Sequence, residues 1–281
     1  MTTTKQSMTF RLGGQQEINR MGYGSMQLTG TGVFGEVADR NNAKHVLQAA
    51  VKGGVNFIDT AEAYGPQFNE SLIADALHPY PDELIIATKG GFRRPGPNKW
   101  VADGDPQFIR ECIDGSLRRL EVDQIDLWQL HRVDPKFPVE ETLAPVADAV
   151  KAGKIKWVGL SEVDIEQVER AEKVVPIVSV QNQYNLANRK WDQLVDYTAG
   201  RGMAFIPWYP LASGPQMLAD KIGKVSTEHN ATAAQIGLAW LLKRSPNILL
   251  IPGTKSLEHL QENLEAATIE LTDEEFAELS R

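Results

Sequence analysis

Eight short apolar runs recur along the chain, and each is followed by a longer stretch with helical spacing. The runs are Asn19–Tyr23, Asn56–Asp59, Leu84–Lys89, Ile125–His131, Ile155–Ser161, Ile177–Asn182, Ala204–Trp208 and Ile248–Ile251. The intervening amphipathic segments are Asn42–Lys52, Asn69–Leu77, Pro106–Leu120, Val139–Lys151, Asp164–Lys173, Arg189–Arg201 and Ala231–Lys243, with Ser256–Leu264 after the eighth run. Strand–helix alternation forces parallel pairing through right-handed crossovers, and eight such units close on themselves more readily than they lie open. The expected fold is therefore α/β, a (β/α)8 TIM barrel. Residues 8–18 read as an N-terminal β-hairpin turning at Gly13-Gly14 and plugging the barrel floor.

Local punctuation agrees. Asp105 before Pro106 is an N-cap followed by proline at the first helical position. Gly53-Gly54 and Gly153 stand where helices need a residue free to turn left-handed. Ser256 opens the last of these segments, with Glu258 and His259 in its first turn.

The runs end in polar residues: Asp59, Lys89, His131, Ser161 and the pair Gln181-Asn182. Barrel chemistry collects at the C-terminal strand ends. His131 shares parity with Leu127 and Gln129, so all three face one side. Each residue alone has an ordinary reading: Asp59 as a cap, Lys89 as a rim charge, Tyr64 as a loop aromatic, His131 as a core histidine. Together they supply what carbonyl reduction needs. Tyr64 is the acid, Lys89 lowers the phenol pKa, Asp59 holds Lys89, and His131 orients the carbonyl. No serine or cysteine nucleophile accompanies them.

Composition narrows the alternatives. A net charge of −8 argues against non-specific nucleic-acid or anionic-membrane binding. One cysteine, Cys112 in a helical pattern, permits no internal disulfide and reads as a buried thiol. The five histidines show no metal-ligand spacing, so no metal is expected. The N-terminal residues contain no apolar signal segment and no run suits a membrane span, so a cytoplasmic protein is expected.

FIDTAEAYG (57–65), TKGG (88–91), IDLWQLHRVD (125–134), GKIKWVGLSE (153–162) and VQNQYN (180–185) together resemble the aldo-keto reductase family, in order and spacing from about Arg20 to Asn263. The resemblance implies one barrel domain over 1–281, NADPH/NADP+ as cofactor, a small carbonyl substrate, and a catalytic Asp59, Tyr64, Lys89 and His131. It also implies that the dinucleotide lies across the barrel mouth, since no G-x-G-x-x-G is present. Ser161 and Gln181 are similar to the residues that hold the nicotinamide carboxamide, and Trp208 to the ring that stacks on it. IPGTKSLEHLQEN (251–263) resembles the adenosine grip. There Lys255, Ser256 and His259 would complement a 2′-phosphate, and Glu262 and Asn263 would meet the adenine; Gly253, Thr254, Asp59 and Glu162 belong to the same implied cofactor set. Gly24, Ser25, Met26, Tyr209, Pro210, Leu211 and Ser213 complete the implied cofactor set.

Two substitutions depart from the family pattern. Glu162 stands where Asn is common; a carboxylate accepts from the carboxamide but cannot donate to it. Trp208 replaces a more common Tyr. The chain ends at Arg281 soon after the eighth helical segment, which leads us to expect an open pocket. A finer likeness, in GYGSMQLTGTGVFG (22–35) and the 244–263 segment, is to the pyridoxal reductase-like branch. Gln27, Phe92, Arg93, Arg94 and Trp100, with Met26, are the candidate substrate wall. Pyridoxal is the leading substrate and a broad-specificity carbonyl reductase the alternative. A cofactor-sensing barrel without turnover and a Schiff-base aldolase using Lys89 remain as rivals.

Overall fold

The computed structural model describes residues 8–210 and 215–281, with the backbone course alone for 215–221. Leu211 and Ser213 lie outside the described residues.

The chain opens with an antiparallel hairpin, β1 (Thr9–Leu12) and β2 (Gln16–Asn19), turning at Gly13 and Gly14, both at positive φ. The parallel strands follow: β3 (Tyr23–Gly24), β4 (Phe57–Asp59) and β5 (Ile85–Gly90). After a small antiparallel ribbon, β6 (Phe92–Gly96) and β7 (Lys99–Ala102), the series resumes with β8 (Ile125–Leu130), β9 (Ile155–Ser161), β10 (Ile177–Gln181) and β11 (Ala204–Phe205). The seven parallel strands form one sheet in the order β11-β10-β9-β8-β5-β4-β3.

The eighth run closes it. Ile248 bridges Phe205 on one side and Leu250 bridges Met21 on the other, both in parallel. Leu249 N donates to Phe205 O at 2.9 Å and Gly22 N to Leu250 O at 2.8 Å. Pro246 and Pro252 flank this segment and donate nothing, so its pairing is confined to isolated bridges and not a named strand. Arg20 fastens the seam. Its fully buried guanidinium donates to the carbonyls of Ile248, Leu242 and Ser245, two of them at the C-terminal end of the preceding helix. The first expected strand accordingly divides: Asn19 ends the hairpin and only Tyr23–Gly24 joins the sheet.

Helices α1 (Arg40–Lys52), α2 (Phe68–Leu77), α3 (Pro106–Leu120), α4 (Val139–Lys151), α5 (Ile165–Glu172) and α6 (Asp192–Gly200) cover the barrel in turn. Asp105, Asp164 and Ser256 cap their helices as their sequence positions require. Two helices were not anticipated: α7 (Pro215–Glu228), before α8 (Ala233–Arg244), and α10 (Asp273–Leu279), after α9 (Leu257–Glu265). Phe276 of α10 stacks on Trp240 of α8. Cys112 is buried in α3, and burial pushes its thiol up to about 12.

Two apolar layers result. Side chains on the outward strand faces pack under the helices, as Val158, Val180 and Trp128 do. Inside, Leu12 and Ile18 of the hairpin meet Phe57, Ile85, Ala87, Leu127, Trp157, Ala204 and Leu249. The hairpin therefore seals the barrel floor, and the apolar plug leaves polar chemistry to the opposite end.

Candidate active site

Parity puts the polar strand ends inside the barrel above this plug. Lys89 pairs in register with Gln129, Gln129 with Gly159, and Gly159 with Ser179. A Cβ on Gly159 would lie 2.1 Å from Ser179 Oγ and 3.1 Å from Gln129 Cγ. Glycine there leaves the volume in which the Gln129 and Ser179 side chains meet.

One layer higher, Lys89 Nζ donates to Asp59 Oδ1 at 2.6 Å and to the Thr60 carbonyl at 2.7 Å, and reaches Tyr64 OH at 3.5 Å. Lys89 is fully buried. An unpaired ammonium there would be expelled or neutralised; burial works to lower its pKa, but Asp59 and Tyr64 outweigh that and the net direction is up. Asp59 Oδ2 accepts from Gln181 Nε2 at 2.8 Å and Gln129 Nε2 at 3.3 Å, so both carboxylate oxygens are engaged.

Tyr64 departs from expectation. Burial raises its pKa above the ordinary 10; Lys89 pulls it down and Asp59 pushes it up, and the net direction is upward. Lys89 moderates the phenol without depressing it below a free tyrosine. His131 is buried, and its pKa lies well below 6.5, first through burial and then through Lys89, Arg132 and Arg94. Its imidazole is therefore neutral, and Nδ1 has no hydrogen-bond partner.

The ribbon β6–β7 supplies a wall, where the sequence suggests only a loop after the third strand. Asn98, at φ 55°, makes its turn. Phe92 and Trp100 stand edge-on to His131 at ring-centroid distances of 4.6 and 6.1 Å, and Trp100 to Tyr64 at 6.4 Å. Arg93, expected in this wall, falls on the other face of the ribbon. Strand alternation turns it outward to pair with Asp103 and lie over Phe108. Arg94 stays on the inner face over Trp100, but its guanidinium is bound to the carbonyls of Gly32, Val33, Ala63 and Lys99. It anchors loops, with four of its five N–H donors spent on carbonyls.

The implied cofactor residues gather on the same rim. Ser161 and Gln181 are buried at adjacent strand ends, and Glu162 and Tyr209 both adopt left-handed backbone, at φ 55° and 59°. Glu162 Oε1 accepts from Trp208 Nε1 at 2.7 Å and from the Gln183 amide. The carboxylate that replaces Asn therefore pins the indole. Gly253 lies against the Gly24 carbonyl, closely enough that a Cβ would come within 2.7 Å, and Gln27 Nε2 donates to the Gly253 carbonyl at 2.8 Å. Tyr23 OH holds the Thr254 carbonyl. Ser256 caps α9, Lys255 and His259 are exposed, Glu262 is half-buried and Asn263 buried. Ser25 is used differently. It is fully buried, and its hydroxyl engages Asn69 and the Asp59 carbonyl, so its side chain clasps two strand ends. Met26 is exposed and Pro210 buried.

A nicotinamide carboxamide fits this rim. Gln181 Oε1 and the Ser161 hydroxyl hydrogen are unspent among the described residues, offering one acceptor and one donor. Among the described residues no cluster suits a metal ion, and no helix is long and apolar enough to cross a membrane.

Sequence reasoning missed Arg132. It follows His131 and donates to Ser161 Oγ at 3.0 Å. Alternation beyond the last strand residue would turn it outward, and only the bend of the loop brings it back.

The sequence profile described as Aldo/keto reductase family matches residues 20–281. An uncharacterized oxidoreductase of Schizosaccharomyces pombe is 47% identical over 270 residues, 95% of this chain and 87% of that one. Pyridoxine 4-dehydrogenase of Escherichia coli strain K12 is 41% identical over 279 residues, 97% of each chain. The crystal structure of an aldo-keto reductase from Klebsiella pneumoniae in complex with NADPH superposes with a TM-score of 0.81, at 26% identity, over 99% of this chain and 94% of that one.

Proposed function

The chain belongs to the aldo-keto reductase family, and from that premise we propose that it is an NADPH-dependent carbonyl reductase in which Tyr64 gives a proton to the substrate oxygen. The single observation that carries this reading is the buried line from Asp59 through Lys89 to Tyr64, 2.6 and 3.5 Å long, ending beside a neutral histidine. The NADPH-bound relative supports the choice of cofactor.

The reduced dinucleotide supplies the hydride. This chain's residues supply the rest. A phenol with a raised pKa keeps its proton at neutral pH, so Tyr64 enters the reaction as an acid. As the proton leaves, the Lys89 ammonium faces the new phenolate charge, and Asp59 keeps that ammonium in place. His131, held neutral, hydrogen-bonds the carbonyl oxygen without competing as an acid. Ser161 and Gln181 hold the carboxamide, the pinned Trp208 forms the stacking surface, and Lys255 with the α9 N-terminus meets the 2′-phosphate. Residues 1–281 act as one catalytic unit in this reading.

The substrate we favour is pyridoxal. The relative named pyridoxine 4-dehydrogenase supports it, as does the aromatic wall of Phe92, Trp100 and Tyr64, which suits a flat ring. The deciding measurement is kcat/KM with NADPH for pyridoxal beside 4-nitrobenzaldehyde. Failure with pyridoxal alone leaves a broad-specificity reductase, and failure with both removes the reductase reading.

A further inference from the structure

Arg132 differs from the other arginines of the mouth. Arg93 is paired with Asp103, and Arg94 has four carbonyl acceptors. The Arg132 guanidinium lies 5.5 Å from the Phe92 ring centroid and 5.6 Å from that of Trp208. Nη1 makes both of its hydrogen bonds, to the His131 carbonyl and to Ser161 Oγ, and both acceptors are neutral. Burial lowers the Arg132 pKa and Glu162 only partly offsets it, and Oε1 of that carboxylate is already committed to Trp208 and Gln183. Nε and Nη2 make no hydrogen bond among the described residues. Neither is a buried atom left without a partner, so this edge of the planar fork reaches solvent.

A half-buried guanidinium is costly unless something compensates its charge. Its Nε–Nη2 edge has the geometry that takes a carboxylate or phenolate oxygen side-on. The guanidinium also lies near the reacting centre, since Phe92 is shared: its ring centroid is 5.5 Å from Arg132 Cζ and 4.6 Å from the His131 ring centroid. An aromatic aldehyde lying on Phe92, its oxygen toward His131 and Tyr64, extends toward Arg132.

We propose that Arg132 is a specificity-determining residue, whose Nε–Nη2 edge binds an anionic oxygen close to the carbonyl and so selects aldehydes carrying a neighbouring carboxylate or phenolate. The inference rests on the reductase reading and goes beyond it, since it holds for any ring that carries such a pair. Pyridoxal, with its phenolic oxygen beside the aldehyde, is one such ring.

The test compares 2-carboxybenzaldehyde with its neutral methyl ester, using NADPH, in the wild type and in Arg132→Gln and Arg132→Lys. The wild type should prefer the acid. In Arg132→Gln the ratio of the two kcat/KM values should fall on the order of tenfold or more, mainly through KM, and Arg132→Lys should recover part of it. A ratio unchanged by Arg132→Gln, an equal loss on both substrates, or a wild type indifferent to the charge overturns the proposal. Calorimetric binding of phthalate gives a readout free of turnover. It should be measurable in the wild type and lost in Arg132→Gln, and its absence from the wild type also overturns the proposal. Turnover of neither aldehyde by a wild type that binds phthalate counts against the reductase reading and leaves the anion site standing.

Discussion

Gln181 Nε2 donates to Asp59 Oδ2 across 2.8 Å, joining a side chain implied to hold the cofactor to the carboxylate that holds Lys89. In the proposed reading, one amide both grips the cofactor and braces the carboxylate behind the proton donor. Its nitrogen faces the catalytic group, and its oxygen remains for the nicotinamide.

Gln181→Leu should consequently lose both functions. NADPH affinity falls because an acceptor is missing, and kcat falls because Asp59 loses its best-placed neutral donor. Each loss should be roughly tenfold, the scale of one hydrogen bond to a charged group. Cofactor fluorescence titration and single-turnover rates separate the two. A loss confined to cofactor affinity shows that the Asp59 contact is idle.

The pH dependence follows from Tyr64. Its raised pKa keeps the phenol protonated through neutral pH, so reduction should be flat there and decline only above the ordinary tyrosine value of 10. Oxidation of the alcohol needs the phenolate and should climb with pH. Lys89→Met removes the charge that pulls this pKa down, so both limbs should move to higher pH, with a slower reduction. Tyr64→Phe should lower kcat by ~10²–10⁴ while NADPH still binds. Lys89→Met also strands a buried carboxylate at a cost of about 3–5 kcal/mol, so the profile is to be recorded on protein shown to be folded by circular dichroism. Unmoved limbs in such a protein exclude the role of Lys89.

Lys255 is exposed at the N-terminus of α9, where the proposed reading puts the 2′-phosphate of NADPH. Lys255→Ala should weaken NADPH about tenfold and leave NADH nearly unchanged, because only NADPH brings a phosphate to that helix end. Equal weakening of both rules out a phosphate contact.

Gly159→Ala tests the floor beneath the site. The new methyl collides with Ser179 Oγ and Gln129, inside a barrel with no room to expand. Urea unfolding should show a loss of roughly 1–3 kcal/mol, the usual cost of overpacking. Because Gln129 donates to Asp59, kcat should fall too. An alanine variant of wild-type stability and rate contradicts this account.

Much of this protein is legible along the chain because strand and helix periods are local properties. Strand–helix alternation defined the barrel, Gly13-Gly14 the plug, and parity put Leu127, Gln129 and His131 on one face of their strand, while Asp59 and Lys89 were read as polar strand ends. Caps such as Asp105 and Ser256 could be identified from single residues, since a cap bonds an amide two or three positions away.

What the tertiary structure decided are relations between strands and the course of loops. Period two says which side a residue faces but not which neighbour it meets; that depends on the stagger of a closed barrel, and so the Gln181–Asp59 bond spans 122 positions unannounced. Closure itself rested on the Ile248 and Leu250 bridges and on Arg20 reaching across the seam. Past a strand's last residue, direction is set by loop bending, which turned Arg132 inward and, through an unforeseen ribbon, Arg93 outward. The Tyr64 pKa was misjudged from sequence for the same reason. The Lys89 charge could be read there, but the burial that outweighs it exists only when Trp100 and His131 close around the phenol.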